Sequence, residues 1–208
     1  MRKSLENAAI LLVGLVIMSF GVALSVISDL GTTPISCIPN VVKYSSNLSL
    51  GTITIIFNFI LIVLQAVILR GKFRHTQWLQ IVTTIIFGYF IDLSLYVLSP
   101  ITPGDIIGQW ITCIVSCFII AFGVYLEVKS DSIVLPGEGV SLAVKEVSNL
   151  EFSRIKSIFD TSNVVIGGIL SLLLYHSFRG IGLGTIFAGI SVGYIIGFYK
   201  WIAVKYSS

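Results

Sequence analysis

An all-helical integral membrane protein is the fold class the sequence predicts: six transmembrane helices as a 3+3 inverted-topology repeat, with both termini in the cytoplasm. Three observations predict it. The composition is too apolar for a water-facing globule, six apolar windows have spanning length, and the second half of the chain echoes the first. Of 208 residues, 55% are hydrophobic and 11% charged, whereas a soluble domain carries about a quarter charged residues. The net charge of +3 comes from basic residues spread along the chain. They form no patch of the kind that binds nucleic acid, so no nucleic-acid partner is expected.

The elements follow in order. The N-terminus, MRKSLENAAILLVGLVIMSFGVALSVI, opens on a basic cluster and continues apolar. Its run from Ala8 to Ile27 is long for a signal-peptide core and no A-x-A-like site follows, so it reads as a first span. A span needs about 20 mostly apolar residues. Windows at 8–27, 50–69, 77–98, 106–127, 157–176 and 182–203 qualify, and Asp92, Glu127, Asp160 and Lys200 are the charges inside them. With the N-terminus inside, 11 of the 13 lysines and arginines fall on cytoplasmic segments and only Lys43 and Arg179 fall outside. That bias sets the N-in, C-in orientation.

The repeat is visible at a constant offset of 102 residues. SFGVALSVISDLGTTPIS (19–36) matches AFGVYLEVKSDSIVLPGE (121–138) at eight of 18 positions, including Phe20/Phe122, Gly21/Gly123, Ser28/Ser130, Asp29/Asp131 and Pro34/Pro136. The register continues to Asn47/Asn149, Leu48/Leu150 and Phe57/Phe159, with Asn58 opposite Asp160. A single domain, 1–208, therefore divides into a first repeat, 8–98, and a second, 106–203. Three spans per half is odd, so the second half enters the membrane upside down.

Two polar segments, 28–49 and 128–156, occupy equivalent places after the first span of each half. Residues Val140, Ala143, Val144 and Val147 have helical spacing, Pro136 suits a helix start and Glu138 falls in the first turn. In the other segment Thr33 is the expected N-cap and Pro34 the first helical residue. Two arrangements fit: re-entrant half-helices whose N-termini meet near the midplane, or amphipathic helices lying in the interface. The inverted duplication favours re-entrance.

Site candidates follow from that choice. Thr33, Pro34, Ser36, Asn40, Asn58, Pro136, Gly137, Glu138 and Asp160 are expected along a substrate pathway, and Asp29 and Asp131 at its gates or in coupling. Asp160 also has Lys156 one turn earlier, which makes a local ion pair an equal account. GIGLGT (180–185) lacks the strand a nucleotide loop needs and reads as a tight turn. Gly189, Gly193 and Gly197 give span six a smooth face for close packing or a homodimer. Cys37, Cys113 and Cys117 read as small buried hydrophobes. With no metal spacing and no nucleophile–base pair in view, no cofactor, no metal and no enzyme activity are expected.

The motifs LGTTPIS, LPGEGVSLAVKEV, FSRIKSIFD and GIGLGT make the chain, over about 10–200, similar to the YczE/YyaS/YitT family of bacterial membrane proteins. The resemblance implies a small multi-pass protein of the bacterial cytoplasmic (inner) membrane and carries over no functional residues. The expected function is a small-solute transporter or channel-like permease with its pathway between the repeats. Helix N-termini point to an anionic or zwitterionic solute; Glu138 points to a cation or proton. The rival expectation is a non-transporting assembly factor, partner subunit or sensor that binds a partner through 128–156.

Overall fold

A computed structural model describes residues 2–148 and 150–206. Asn149, the repeat counterpart of Asn47, lies outside the described residues. The chain forms α1 (Arg2–Ile27), α2 (Pro34–Lys43), α3 (Leu50–Leu69), α4 (Gln80–Val97), α5 (Ile106–Lys129), α6 (Pro136–Val147), α7 (Phe152–Tyr175) and α8 (Leu183–Tyr206), with no strand among the described residues. All but α2 and α6 are long and apolar enough to cross a membrane. Large apolar side chains such as Phe59, Ile60 and Val63 on α3 and Ile186 and Ile190 on α8 face outward, as lipid-facing surfaces require. The six expected spans are recovered. The fifth starts earlier than its apolar window, because Arg154 and Lys156 already sit in the first turns of α7.

Local chemistry fixes the helix starts. Ser49 Oγ accepts from Thr52 N (3.1 Å) and Asp105 Oδ1 from Gly108 N (2.8 Å), which satisfies N–H groups the helix itself cannot. Asp92 of α4 accepts from Gly51 N (2.7 Å) and from Ser49 Oγ (2.5 Å). Its place in a span is thereby explained as a cap on the neighbouring helix α3.

The centre of the fold is the crossing of α1 and α5. A Cβ on Gly21 would lie 2.9 Å from Ile120 N, and one on Gly123 would lie 2.8 Å from both Gly14 O and Met18 N. Glycine is therefore required for the backbones to approach. Because Gly14 lies beside Leu126 and Glu127 while Gly21 lies beside Ile119 and Ile120, the two helices run antiparallel. The contacts are reciprocal: Gly21 faces Ile120, and Gly123 faces Met18, which is 102 residues before Ile120.

The remaining contacts form matched sets at the same offset. α1 packs on α4 as α5 packs on α8, α2 on α7 as α6 on α3, and α2 on α3 as α6 on α7. α3–α4 and α2–α8 lack a comparably strong counterpart. Backbone turns repeat too. Asp29 (φ 57°) and Asp131 (φ 46°) both end their helices at positive φ; Arg70 (φ 49°) and His176 (φ 53°) follow α3 and α7 at positive φ too, but with different ψ, −121° and 23°. The glycine face of α8 is only partly used: Gly189 packs on Pro34, whereas a Cβ on Gly193 or Gly197 would meet nothing within 4 Å.

Gly123→Ala should destabilise the protein by about 1–3 kcal/mol, the usual range for overpacking. Gly193→Ala should be close to neutral. Chemical unfolding of the two purified variants in detergent measures both.

Candidate functional site

The site is built where two short helices begin. Both have a proline at their first position, and their preceding residues, Thr33 and Leu135, share the same backbone angles, φ −61° and ψ 153°. Thr33 is the N-cap by position, as expected, but its side chain caps nothing and instead donates to Ser36 Oγ (3.1 Å). Pro39 lies inside α2 without delaying its start. The two helix starts touch: a Cβ on Gly137 would lie 2.9 Å from Ile35 Cδ1. Thr33, Pro34, Ser36, Pro136 and Gly137 are all buried around this junction. Helix N-termini carry unpaired N–H donors and partial positive charge.

Behind the start of α6 sits a cluster of charges. Lys156 Nζ lies 2.7 Å from Asp160 Oδ1 and 3.6 Å from Glu138 Oε1. The local i, i+4 pair is therefore present, but Lys156 also ties α7 to α6. Glu138 makes this bridge in place of any link to Lys145 or Glu146 along its own helix. Glu127, at the end of α5, is 1% exposed. Its Oε1 accepts from Leu135 N at 2.5 Å, and its Oε2 has no hydrogen-bond partner.

At the 102-residue offset, Glu127, Glu138, Lys156 and Asp160 correspond to Ser25, Ser36, Thr54 and Asn58. All four of these are buried and neutral. Ser25 Oγ contacts Thr32 Oγ1 (2.7 Å) and Thr54 Oγ1 donates to Leu50 O (2.8 Å). The same four positions are thus polar in both halves and charged in one. Asn58 does not join the ion pairs of Asp160.

The first short helix is held from the other side by GIGLGT, which does more than turn the chain. Gly184 N donates to Leu30 O (2.8 Å), Thr32 N to Thr185 Oγ1 (3.1 Å) and Asn40 Nδ2 to Gly180 O (2.9 Å). Gly31, at φ +100°, is pressed so close that a Cβ would lie 2.6 Å from Gly182 N. Asn40 and Asp29 share a cleft of 310 Å³ with Tyr44, Arg179 and Gly180. The Arg179 guanidinium lies 5.1 Å from the Tyr44 ring centroid, a cation–π distance. Burial, and then the Asp29 carboxylate, push the Tyr44 hydroxyl above its ordinary range, while Arg179 opposes them. Asn40 and Asp29 thus stand apart from the charged cluster, and Asp131 is exposed at the end of α5.

Sequence reasoning left three participants out. Glu127 was legible as a charge but not as the acceptor of Leu135 N, and Lys156 as a charge but not as the partner of Glu138; the repeat register, which sets them opposite Ser25 and Thr54, was the available signal. Gln65 carried no signal. It is fully buried, bonds Gln80 Oε1 (3.0 Å), and donates to Pro136 O (3.3 Å) at the start of α6.

Comparison with known proteins places the chain. Residues 5–201 match the Family of unknown function (DUF6198). A Bacillus subtilis protein named "Uncharacterized protein YyaS" is 27% identical over 178 residues, 84% of this chain and 82% of the relative. A Haemophilus influenzae "Uncharacterized protein" is 22% identical over 201 residues, 96% of this chain and 86% of that protein. No solved structure matches. The chain belongs to the DUF6198 family, and the similarity to YyaS agrees with the resemblance carried by LGTTPIS and GIGLGT.

Removing Lys156 leaves Glu138, Asp160 and Glu127 without their nearest cation. Lys156→Met should lower stability, by no more than the about 3–5 kcal/mol of a broken buried pair, since the pair is about a quarter exposed. Adding Glu138→Gln and Asp160→Asn should recover part of the loss. A denaturation cycle over the variants reads the coupling.

Proposed function

We propose that this member of the DUF6198 family is a small-solute membrane transporter whose pathway runs between two inverted halves, where the N-termini of α2 and α6 meet. The observation that carries the reading is the contact of Ile35 with Gly137. These residues are equivalent at the repeat offset, so their contact belongs on an axis relating the halves. The antiparallel α1–α5 crossing and the matched helix pairs support inversion about such an axis, the arrangement of many transporters.

Re-entrance is physically attainable. Six residues separate Ile27 from Pro34, and six separate Lys129 from Pro136. With the first two residues of each spent on the Ser-Asp turn, the remaining four reach about 13 Å, close to the half-thickness of an about 30 Å core. The bias of Lys and Arg supports N-in, C-in orientation, and bacterial relatives support a bacterial membrane, which we take to be the cytoplasmic one. Two helix N-termini offer donors to an anionic group, while Glu138 and Asp160 offer acceptors to a cationic one. The combination fits a zwitterionic solute. Gly193 and Gly197 lie on the open side of α8, where a homodimer would leave the pathway within each protomer.

A partner-binding role has one observation in its favour: α6 exposes Leu142, Lys145, Glu146 and Val147 on its outer face. One experiment separates the two. Cys37, Cys113 and Cys117 are replaced, and single cysteines are placed at Thr33, Ser36, Leu135 and Glu138. The transport reading expects these positions to react with a membrane-impermeant thiol reagent from either side, depending on state. Labelling of 135–138 from the cytoplasm alone, and of 33–36 from outside alone, would eliminate the pathway.

A further inference from the structure

We infer that Glu127 is a proton-binding site whose occupancy sets how firmly the start of α6 is held; resting on the transport reading above, it is the site at which solute movement is linked to protons. The geometry is unequal at the carboxyl's two oxygens. Oε1 receives the backbone N–H of Leu135, the residue that precedes Pro136. Oε2 is buried with no partner, and Glu127 has no ion pair among the described residues.

The charges that act on Glu127 are Glu138 on α6 and Lys156 on α7, and Lys156 is itself paired with Asp160. On the α1 side the neighbour is Gly14, which brings no charge. The Lys156 ammonium contacts two carboxyls, the shorter contact going to Asp160, and leaves Glu127 without an ion pair among the described residues. Oε2 is shut off from solvent, so sodium or an organic ammonium would need the site to open first, whereas a proton needs no added volume. Buried carboxyls inside membranes commonly serve in proton relays.

The consequence for α6 follows from hydrogen-bond strength. A carboxylate accepts from an N–H about twice as strongly as a neutral group does. Loss of the proton tightens the Leu135 bond; gain of the proton loosens it and frees the start of α6 beside Gly137. The first half has no such device, because its counterpart, Ser25, bonds Thr32 through a hydroxyl that does not titrate.

Infrared pH titration of the purified protein tests proton binding without any knowledge of the solute. Wild type should show a carboxylic-acid C=O band, set apart in frequency from those of solvated carboxyls, that disappears as the pH rises. The band should persist in Glu138→Gln and Asp160→Asn and vanish in Glu127→Gln. No such band in wild type, or one that survives Glu127→Gln, overturns the proposal. Should Glu127→Gln not fold, hydrogen exchange at Leu135 in wild type decides. Corrected for intrinsic rate, its protection should rise about tenfold on deprotonation, the worth of a charge-assisted bond. Protection that ignores pH overturns the proposal as well. A titrating Glu127 in a protein whose segments label from one side only would sink the transport reading and leave the proton site standing.

Discussion

The close antiparallel approach of α1 and α5 is the constraint on which the rest depends. Gly14, Gly21 and Gly123 let the two backbones touch, and this places the ends of α1 and α5 at opposite ends of the crossing. Each end is then turned by a buried Ser and a left-handed Asp, Ser28-Asp29 and Ser130-Asp131. Ser28 and Ser130 each donate back into the last turn, to Ser25 O and Glu127 O. The two following segments, equal in length, run towards each other. The contact of Ile35 with Gly137 is thus a consequence of the crossing and the turns together. A wider crossing would separate the helix starts, whatever their own sequences.

On this symmetric frame the chemistry is asymmetric. Four equivalent positions hold Ser25, Ser36, Thr54 and Asn58 in one half and Glu127, Glu138, Lys156 and Asp160 in the other. Neutral hydroxyls can be satisfied locally, as Thr54 is by Leu50 O. Charges cannot, and within a membrane they are costly unless paired or functional. Lys156 pairs two of the three carboxyls and leaves Glu127 with a backbone N–H. Of the four, only Glu127 is fully buried, and a buried charge contributes little to stability compared with a well-packed apolar side chain.

Much of the fold was legible in the sequence because spans and repeats are one-dimensional signals. Apolar length located the six long helices, and the 102-residue offset located the paired short helices and the paired Asp29 and Asp131. Pro34 and Pro136 marked the helix starts because a first-turn position needs no N–H. What was not legible is three-dimensional. Gln65 gave no hint that it meets Pro136 O, since nothing in its span distinguishes a lipid-facing glutamine from a buried one. Glu127 fell at a span end, where a charge is ordinarily solvated. GIGLGT announced a turn, but its grip on Leu30, Thr32 and Asn40 depends on packing of α8 against α2. Glu138 was expected on the pathway, yet its partner Lys156 came from the first turns of α7, at the far end of the same segment.

The two halves hold their short helices by different means. Where α6 crosses α3, Gly139 makes room for Gln65; at the equivalent crossing of α2 and α7, Gly167 makes room for Cys37. The large residue lies on the long helix in one case and on the short helix in the other. Cys37 donates to Asn163 O at 3.2 Å, while Gln65 reaches Pro136 O and Gln80. α2 and the residues just before it are further held by hydrogen bonds to 180–185, and the start of α6 by the carboxyl of Glu127. In a carrier built from inverted halves, exchange between inward- and outward-open states swaps the conformations of the halves. If the halves were identical, the two states would have equal energy. On the proposed transport function, different clamps would bias that equilibrium, and a ligand would shift it only through its unequal affinity for the two states. A clamp of neutral bonds on α2 and a titratable one on α6 would make that bias depend on the proton.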